Sequence, residues 1–211
     1  MKHALRIALG VALAASLGAC SLPGDREPPR LFVLSAKSTF NPDLPKVNWQ
    51  LAVDTPIAEA GHSTSKIALR HNQFELEYFA RAAWTDVAPQ MIQALLIVSF
   101  ENTGKIVGVG RQSIALRGDY LLVTEIRDFQ AEYDGKTLPN VHVKMNAKLV
   151  QMPQRVIVAN HTEESIQPAA NGSLDAVVEA FDESLGKVLK RTVEWCLTAV
   201  PPERPSPTVR D

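Results

Sequence analysis

Behind Ser173 the chain keeps one apolar stripe as far as Ala199. Leu174, Val177, Val178, Phe181, Leu185, Val188, Leu189, Thr192, Trp195, Cys196 and Ala199 fall within roughly 60° of one direction at about 100° per residue. Ser173 stands where a capping hydroxyl is wanted. Asp175, Glu179, Asp182 and Glu183 fill the early polar face, and Lys187, Lys190 and Arg191 the late one, an order that suits the helix dipole. Pro201 and Pro202 end the element. A helix this long and this one-sided has to lie against something.

What it lies against is supplied by period-2 runs. Leu31 to Leu34 is a short apolar first strand. Val47, Trp49, Leu51 and Val53 alternate with Asn48, Gln50 and Ala52 until Asp54-Thr55-Pro56 stops them. Residues 57–65 read as a loop. Residues 66–70 and 74–80 pair as a hairpin across His71-Asn72-Gln73, with Phe74, Leu76 and Tyr78 alternating with Glu75 and Glu77. Residues 106–116 form a further strand after a turn. Tyr120 to Tyr133 is a long strand whose phase slips near Asp128-Phe129, as at a bulge. Asp134-Gly135 is a hairpin turn. In 141–149, Val141, Val143, Met145, Ala147 and Leu149 alternate with His142, Lys144, Asn146 and Lys148, so one face is buried and one wet. Pro153 turns the chain back into 155–159, and 160–172 reads as polar loop.

Between the two groups of strands the period changes. Thr85 or Asp86 caps a helix over 86–102, with Pro89 in its first turn and Gly104 as its stop. Val87, Met91, Ile92, Leu95 and Val98 share one face. Ile97 and Phe100 fall off that stripe, which makes them the candidate partner surface. Hairpins throughout point to a mostly antiparallel sheet, so the fold class is α+β, a two-layer sandwich with both helices packed on the sheet.

The N-terminus decides location. Lys2, His3 and Arg6 precede an apolar run from Ile7 to Leu17, then Leu17-Gly18-Ala19-Cys20. This is a secretory signal peptide ending in a bacterial lipoprotein box. The run of roughly eleven residues falls short of the about 20 needed to cross a bilayer. Cleavage after residue 19 leaves Cys20 as an acylated N-terminus, and two or more acyl chains give stable anchoring. Ser21 in place of Asp favours the outer membrane, periplasmic face. Residues 20–30 then form a Pro-rich tether, 31–200 the folded domain and 201–211 a disordered tail. Removing Lys2 and Arg6 lowers the 22 basic residues to 20 against 23 acidic, which argues against a nucleic-acid surface.

Chemistry is hard to find. His62, His71, His142 and His161 are scattered, with no helical metal-ligand spacing, and His142 falls on the wet face of its strand. Cys196 lies in the apolar stripe, where it is a small buried hydrophobe and not a nucleophile. Gly108-Val109-Gly110 lacks the third glycine of a phosphate loop and reads as a turn. Glu75 and Glu77 are solvated carboxylates. No catalytic residue, cofactor or metal site is expected, and the chain is not expected to be an enzyme.

Several stretches resemble the ABC-type transport auxiliary lipoprotein family. They are Lys66 to Arg70, Phe74 to Trp84, Ala88 to Gln93, Phe100 to Gly104, Arg117 to Leu122 and Glu125 to Tyr133. The likeness covers roughly 31–200, and the lipoprotein box agrees with it. The family includes the lipoprotein of the paraquat-inducible transport system. The resemblance implies a non-catalytic periplasmic dock at the outer membrane. Its partners would be an MCE-domain protein with its permease and ATP-binding protein, moving phospholipids or other hydrophobic molecules between the membranes. Tyr78, Trp84 and Pro89 are family-pattern residues; at a strand end and a helix start, packing is their simpler role. A homo-oligomer is compatible with this reading, and a stand-alone lipid-binding carrier is the alternative. A carrier would need an apolar cavity of several hundred Å³.

Overall fold

The computed structural model describes residues 28–112 and 118–200. The signal peptide, Cys20, Ser21, most of the tether, part of the strand expected over 106–116 and the tail lie outside the described residues. Among the described residues nine strands and two helices follow in the order β1 (Arg30–Phe32), β2 (Val47–Val53), β3 (Ile57–Ala58), β4 (Lys66–Asn72), β5 (Glu75–Trp84), α1 (Ala88–Thr103), β6 (Ile106–Arg111), β7 (Tyr120–Glu132), β8 (Asn140–Gln151), β9 (Val156–Pro168) and α2 (Leu174–Ala199).

The class is α+β, but the sheet is mixed. Antiparallel pairing holds where hairpins join neighbours: β4 with β5, β7 with β8, and β8 with β9. The remaining ladders are parallel, for a reason visible at β7. One edge of β7 is taken by β8 along its whole length. Along the other edge, three short strands follow one another. Leu51–Val53 of β2 lies beside Tyr120–Leu122, Ile57–Ala58 of β3 beside Glu125–Ile126, and Leu69–Arg70 of β4 beside Ala131–Glu132. A chain that advances from β2 to β4 along one edge must run in the same sense as β7. β6 then joins β2 in parallel, reached through α1, as a parallel connection requires. β1 lies parallel to β5.

The register slip expected near Asp128 is present: pairing shifts between Ile126 and Asp128. It keeps Ile126 and Phe129 on the same, buried side although they are three residues apart. Asp134 and Gly135 both have positive φ, 46° and 72°, and Lys136 donates its N–H to the Tyr133 carbonyl at 2.7 Å. That is the tight turn their sequence called for.

One apolar cluster unites the sheet with both helices. At its centre Trp84, Phe129 and Phe181 meet with ring centroids 5.1–5.7 Å apart. α2 follows its stripe closely: Val177, Phe181, Leu185, Val188, Leu189 and Cys196 are buried, and Ser173 Oγ accepts the Ala176 N–H.

Several expectations change. Residues 160–168 are strand, continuing β9 opposite Asn140–Lys148 of β8. Their polarity disguised them because their α2-facing positions touch the rim of the helix and not the core. His161 stacks on Trp195, Glu163 forms an ion pair with Arg191 at 3.2 Å, and Ser184 Oγ donates to the Ser165 carbonyl. β5 starts at Glu75, so Phe74 belongs to the turn, exposed, and Leu76 is exposed as well. Residues 57–65 include β3. α1 has Val87 at its N-cap position with no side-chain cap. Asp86 Oδ1 accepts only the Val87 N–H, while the Ala88 N–H is met by the Thr64 carbonyl. Gly104 ends α1 as expected, with φ 60°.

Candidate functional site

The residues expected to carry function fall into three groups. Cys20 lies outside the described residues. Tyr78, Trp84 and Pro89 have packing roles. The Tyr78 hydroxyl donates to the Gly61 carbonyl at 3.1 Å, and Lys66 Nζ sits 5.0 Å from the Tyr78 ring centroid. Trp84 is in the core, and Pro89 is buried in the first turn of α1.

Ile97 and Phe100 do not form a free surface. Phe100 is 0 % exposed and Ile97 is half-buried against the core. The segment 33–45 crosses α1 beside them, bonding to it on either side of Phe100. Its Lys37 N–H donates to Ser99 Oγ and its Lys37 carbonyl accepts from Asn102 Nδ2, both on α1. Its Ser35 and Asn41 N–H groups donate to Asp182 and Glu194 on α2. The segment thus straps the two helices together and sends Leu34 and Leu44 into the core. Val98, expected on the buried stripe, is the exposed apolar residue of α1.

A polar network that sequence spacing did not reveal occupies the sheet face opposite Phe129, Ala131, Val141 and Val143. Pleating places Asp128, Gln130 and Glu132 of β7 beside His142 and Lys144 of β8 and Glu164 of β9. Gln130 is fully buried at its centre. Its Nε2 donates to Asp128 Oδ1 at 3.0 Å and Glu132 Oε1 at 2.7 Å. Its Oε1 accepts the Phe129 N–H at 2.8 Å and faces His62 Nε2 at 2.9 Å. The His142 ring lies between two carboxylates, Nδ1 3.2 Å from Glu132 and Nε2 2.7 Å from Glu164. His142 is therefore held in the network, not solvated on a wet face.

The network's electrostatics are local. A hydrogen bond from Lys144, and a second from His142, hold the Glu164 carboxyl below its usual range. Burial pushes the His62 ring below the ordinary histidine value, against the opposing pull of Gln130. Asp128, Glu132 and His142 each bring a ligand atom to within 4.8 Å of the others, a spacing that a divalent cation could bridge. The Gln130 amide already donates to both carboxylates, and the His142 ring is engaged by Glu132 and Glu164. The arrangement is a closed hydrogen-bonded network tying β7, β8, β9 and the β3–β4 loop together. Elsewhere, Cys196 is fully buried and its thiol pKa is raised strongly by burial, which leaves it an inert core side chain.

Comparison with known proteins follows this geometry. A family model described as the ABC-type transport auxiliary lipoprotein component matches residues 32–192, from the end of β1 into the last turns of α2. The chain belongs to that family. A crystal structure of the protein XCC0632 from Xanthomonas campestris, assigned to a family of unknown function, superposes with a TM-score of 0.77 at 31 % identity, covering 81 % of this chain and 95 % of that one. A second crystal structure, of an uncharacterized protein, shares the fold at a TM-score of 0.63 and 14 % identity, covering 81 % of this chain and 99 % of that one. The uncharacterized protein bll6063 of Bradyrhizobium diazoefficiens is 32 % identical over 127 residues, which is 58 % of this chain. The chain matches only 32 % of that relative's length. The family is described as the auxiliary lipoprotein component of ABC-type transport.

Proposed function

We propose that the chain is an outer-membrane lipoprotein that acts as the periplasmic dock of an MCE-type ABC transporter, helping phospholipids or other hydrophobic molecules pass between inner and outer membranes. The observation that carries this reading is the family match across nearly the whole sheet and both helices, joined to the lipoprotein box at Leu17–Cys20. Cys20 is the acylated residue, and Ser21 directs the anchor outward.

The filled core supports docking over lipid carriage. The space between sheet and helices is occupied by Trp84, Phe129 and Phe181, none more than 2 % exposed. A cleft of about 220 Å³ between Lys46, Trp49, Tyr120 and Met152 is smaller than the roughly 300–1,000 Å³ of ordinary ligand pockets, and the depressions of about 410 Å³ beside Glu125 and about 590 Å³ beside Tyr78 lie open to solvent on the surface, not inside the core. The test is a pull-down of the tagged, full-length lipoprotein from crosslinked envelopes. Recovery of an MCE-domain protein is expected. Stoichiometric lipid bound to the purified protein, with no such partner crosslinked, would overturn the docking reading.

A further inference from the structure

The β4–β5 hairpin ends on an aromatic ring that faces solvent. Phe74 is 86 % exposed, and Leu76 beside it 36 %. The turn that presents the ring is built. The Phe74 N–H donates to Asn72 Oδ1 at 2.9 Å, Asn72 Nδ2 donates to Glu75 Oε2 at 2.9 Å, and Arg70 reaches the Gln73 carbonyl. Turns draw on Gly, Pro, Asn, Asp and Ser, so turn chemistry does not ask for a phenylalanine here. Holding its ring in water forgoes the gain of burying it.

The position of the chain entry gives the ring an occupant. β1 lies parallel to β5 with Arg30 opposite Ala82, and Pro29 lines the same open depression as Glu77, Tyr78 and Phe79. Ala82 is eight residues from Phe74, roughly 26 Å along β5, and because the two strands are parallel the N-terminal end of β1 points toward the hairpin tip. Cys20 is nine residues before Pro29, so it lies at most about 32 Å away at roughly 3.6 Å per residue. That reach exceeds the span from the chain entry to Phe74, so a leaflet holding Cys20 can meet the hairpin tip. The charged residues near the tip are Arg70 against Glu75 and Glu77. Apolar insertion, not attraction to anionic headgroups, is the interaction they permit.

We propose that the β4–β5 hairpin tip is a second membrane contact, with Phe74 seated in the interface of the leaflet that carries the acylated Cys20. It rests on the lipoprotein reading above. An acyl anchor alone fixes only a distance. A second contact at the hairpin tip fixes which way the domain faces, and so which surfaces point into the periplasm.

The test uses the full mature lipoprotein in phosphatidylethanolamine–phosphatidylglycerol vesicles, spin-labelled at Phe74→Cys. Cys196 is fully buried and Cys20 is acylated, so the label is selective. Val107→Cys, on the far edge strand β6 and 68 % exposed, is the reference. The label at position 74 should collide severalfold more with oxygen and severalfold less with a water-soluble nickel chelate than the label at 107, at a depth of roughly 5–10 Å below the headgroups. Phe74→Trp, quenched by brominated acyl chains, should report the same contact without a label. Equal nickel access at both sites on vesicle-bound, acylated protein overturns this proposal alone. Dipolar broadening between labels at 74 would mean that a second copy covers the tip, and also overturns it. An unmodified Cys20 by mass overturns the anchor reading and this one together.

Discussion

The Trp84 indole meets the Phe181 ring edge-on, with centroids 5.2 Å apart, and Phe129 closes the triangle. Three rings from β5, β7 and α2 thus meet at the centre of the core. Phe181→Ala should cost about 3–5 kcal/mol, because a cavity opens where sheet and helix meet and the neighbours cannot collapse into it. Trp84→Phe should cost less, about 1–2 kcal/mol. The Trp84 Nε1 has no hydrogen-bond partner, so the smaller ring removes a buried unsatisfied donor as well as volume. Urea unfolding of the two variants checks the order; Trp84→Phe as the more damaging change would contradict it.

His62 gives stability a pH dependence near neutrality. Burial lowers its folded-state value below the ordinary 6.5, so the unfolded chain takes up a proton that the folded chain refuses. More protons bound in the unfolded state means stability rises with pH, and it falls as pH drops below 6.5. Glu164 acts in the same direction but only lower: its lowered folded value gives stability that is present above its ordinary 4.5 and is lost as pH falls further. His62→Gln keeps a group that can bond Gln130 and should flatten the melting-temperature profile between pH 6.5 and 5.5 while leaving the acid limb below 4.5 in place. An unchanged slope above pH 5.5 in the variant would assign that slope to another group.

At Gly118 the backbone leaves no room. A Cβ there would sit 2.9 Å from the Ala52 nitrogen and 2.9 Å from the Tyr120 carbonyl oxygen. The next residue, Asp119, joins three strands: its N–H donates to the Gln50 carbonyl, its Oδ2 accepts the Gln50 N–H, and its carbonyl accepts the Met152 N–H. Gly118→Ala must push β2 and β7 apart at their shared end and should cost about 1–3 kcal/mol, with no positive φ involved. Circular dichroism melts would show it; a neutral Gly118→Ala would mean that the junction yields.

Much of this fold is legible in the sequence, and the residues that hid the rest share a cause. The stripe of α2, the Asp134-Gly135 turn and the slip at Asp128 are local signals, fixed by period or by turn chemistry. Parallel pairing of β2, β3 and β4 along β7 is not local, because no hairpin announces it. β9 was lost beyond Ala159 because Glu163 and Ser165 find polar partners on α2 where an apolar residue was expected. Phe100 lies off the apolar stripe of α1 and yet is buried, and the strap that bonds α1 on either side of it, at Ser99 and Asn102, has no periodicity over 35–45 to announce it. The network around Gln130 is assembled from strands distant in sequence, with His62 added from a loop, so no spacing rule could find it.

The anchor makes the last prediction, and it concerns where the molecule is held. If Cys20 carries the lipid, Cys20→Ala removes the thiol that is alkylated before cleavage. The precursor should then persist uncut, with residues 1–19 still attached, in the inner membrane, and metabolic labelling with palmitate should disappear. Ser21→Asp should leave acylation and cleavage intact but keep the protein in the inner membrane, if its host sorts lipoproteins by that residue. Fractionation on a sucrose gradient separates the outcomes. A Cys20→Ala protein that is still labelled and sorted as before would move the anchor elsewhere. Retained acylation with Ser21→Asp still in the outer membrane would leave the lipid in place and show that residue 21 does not choose the membrane.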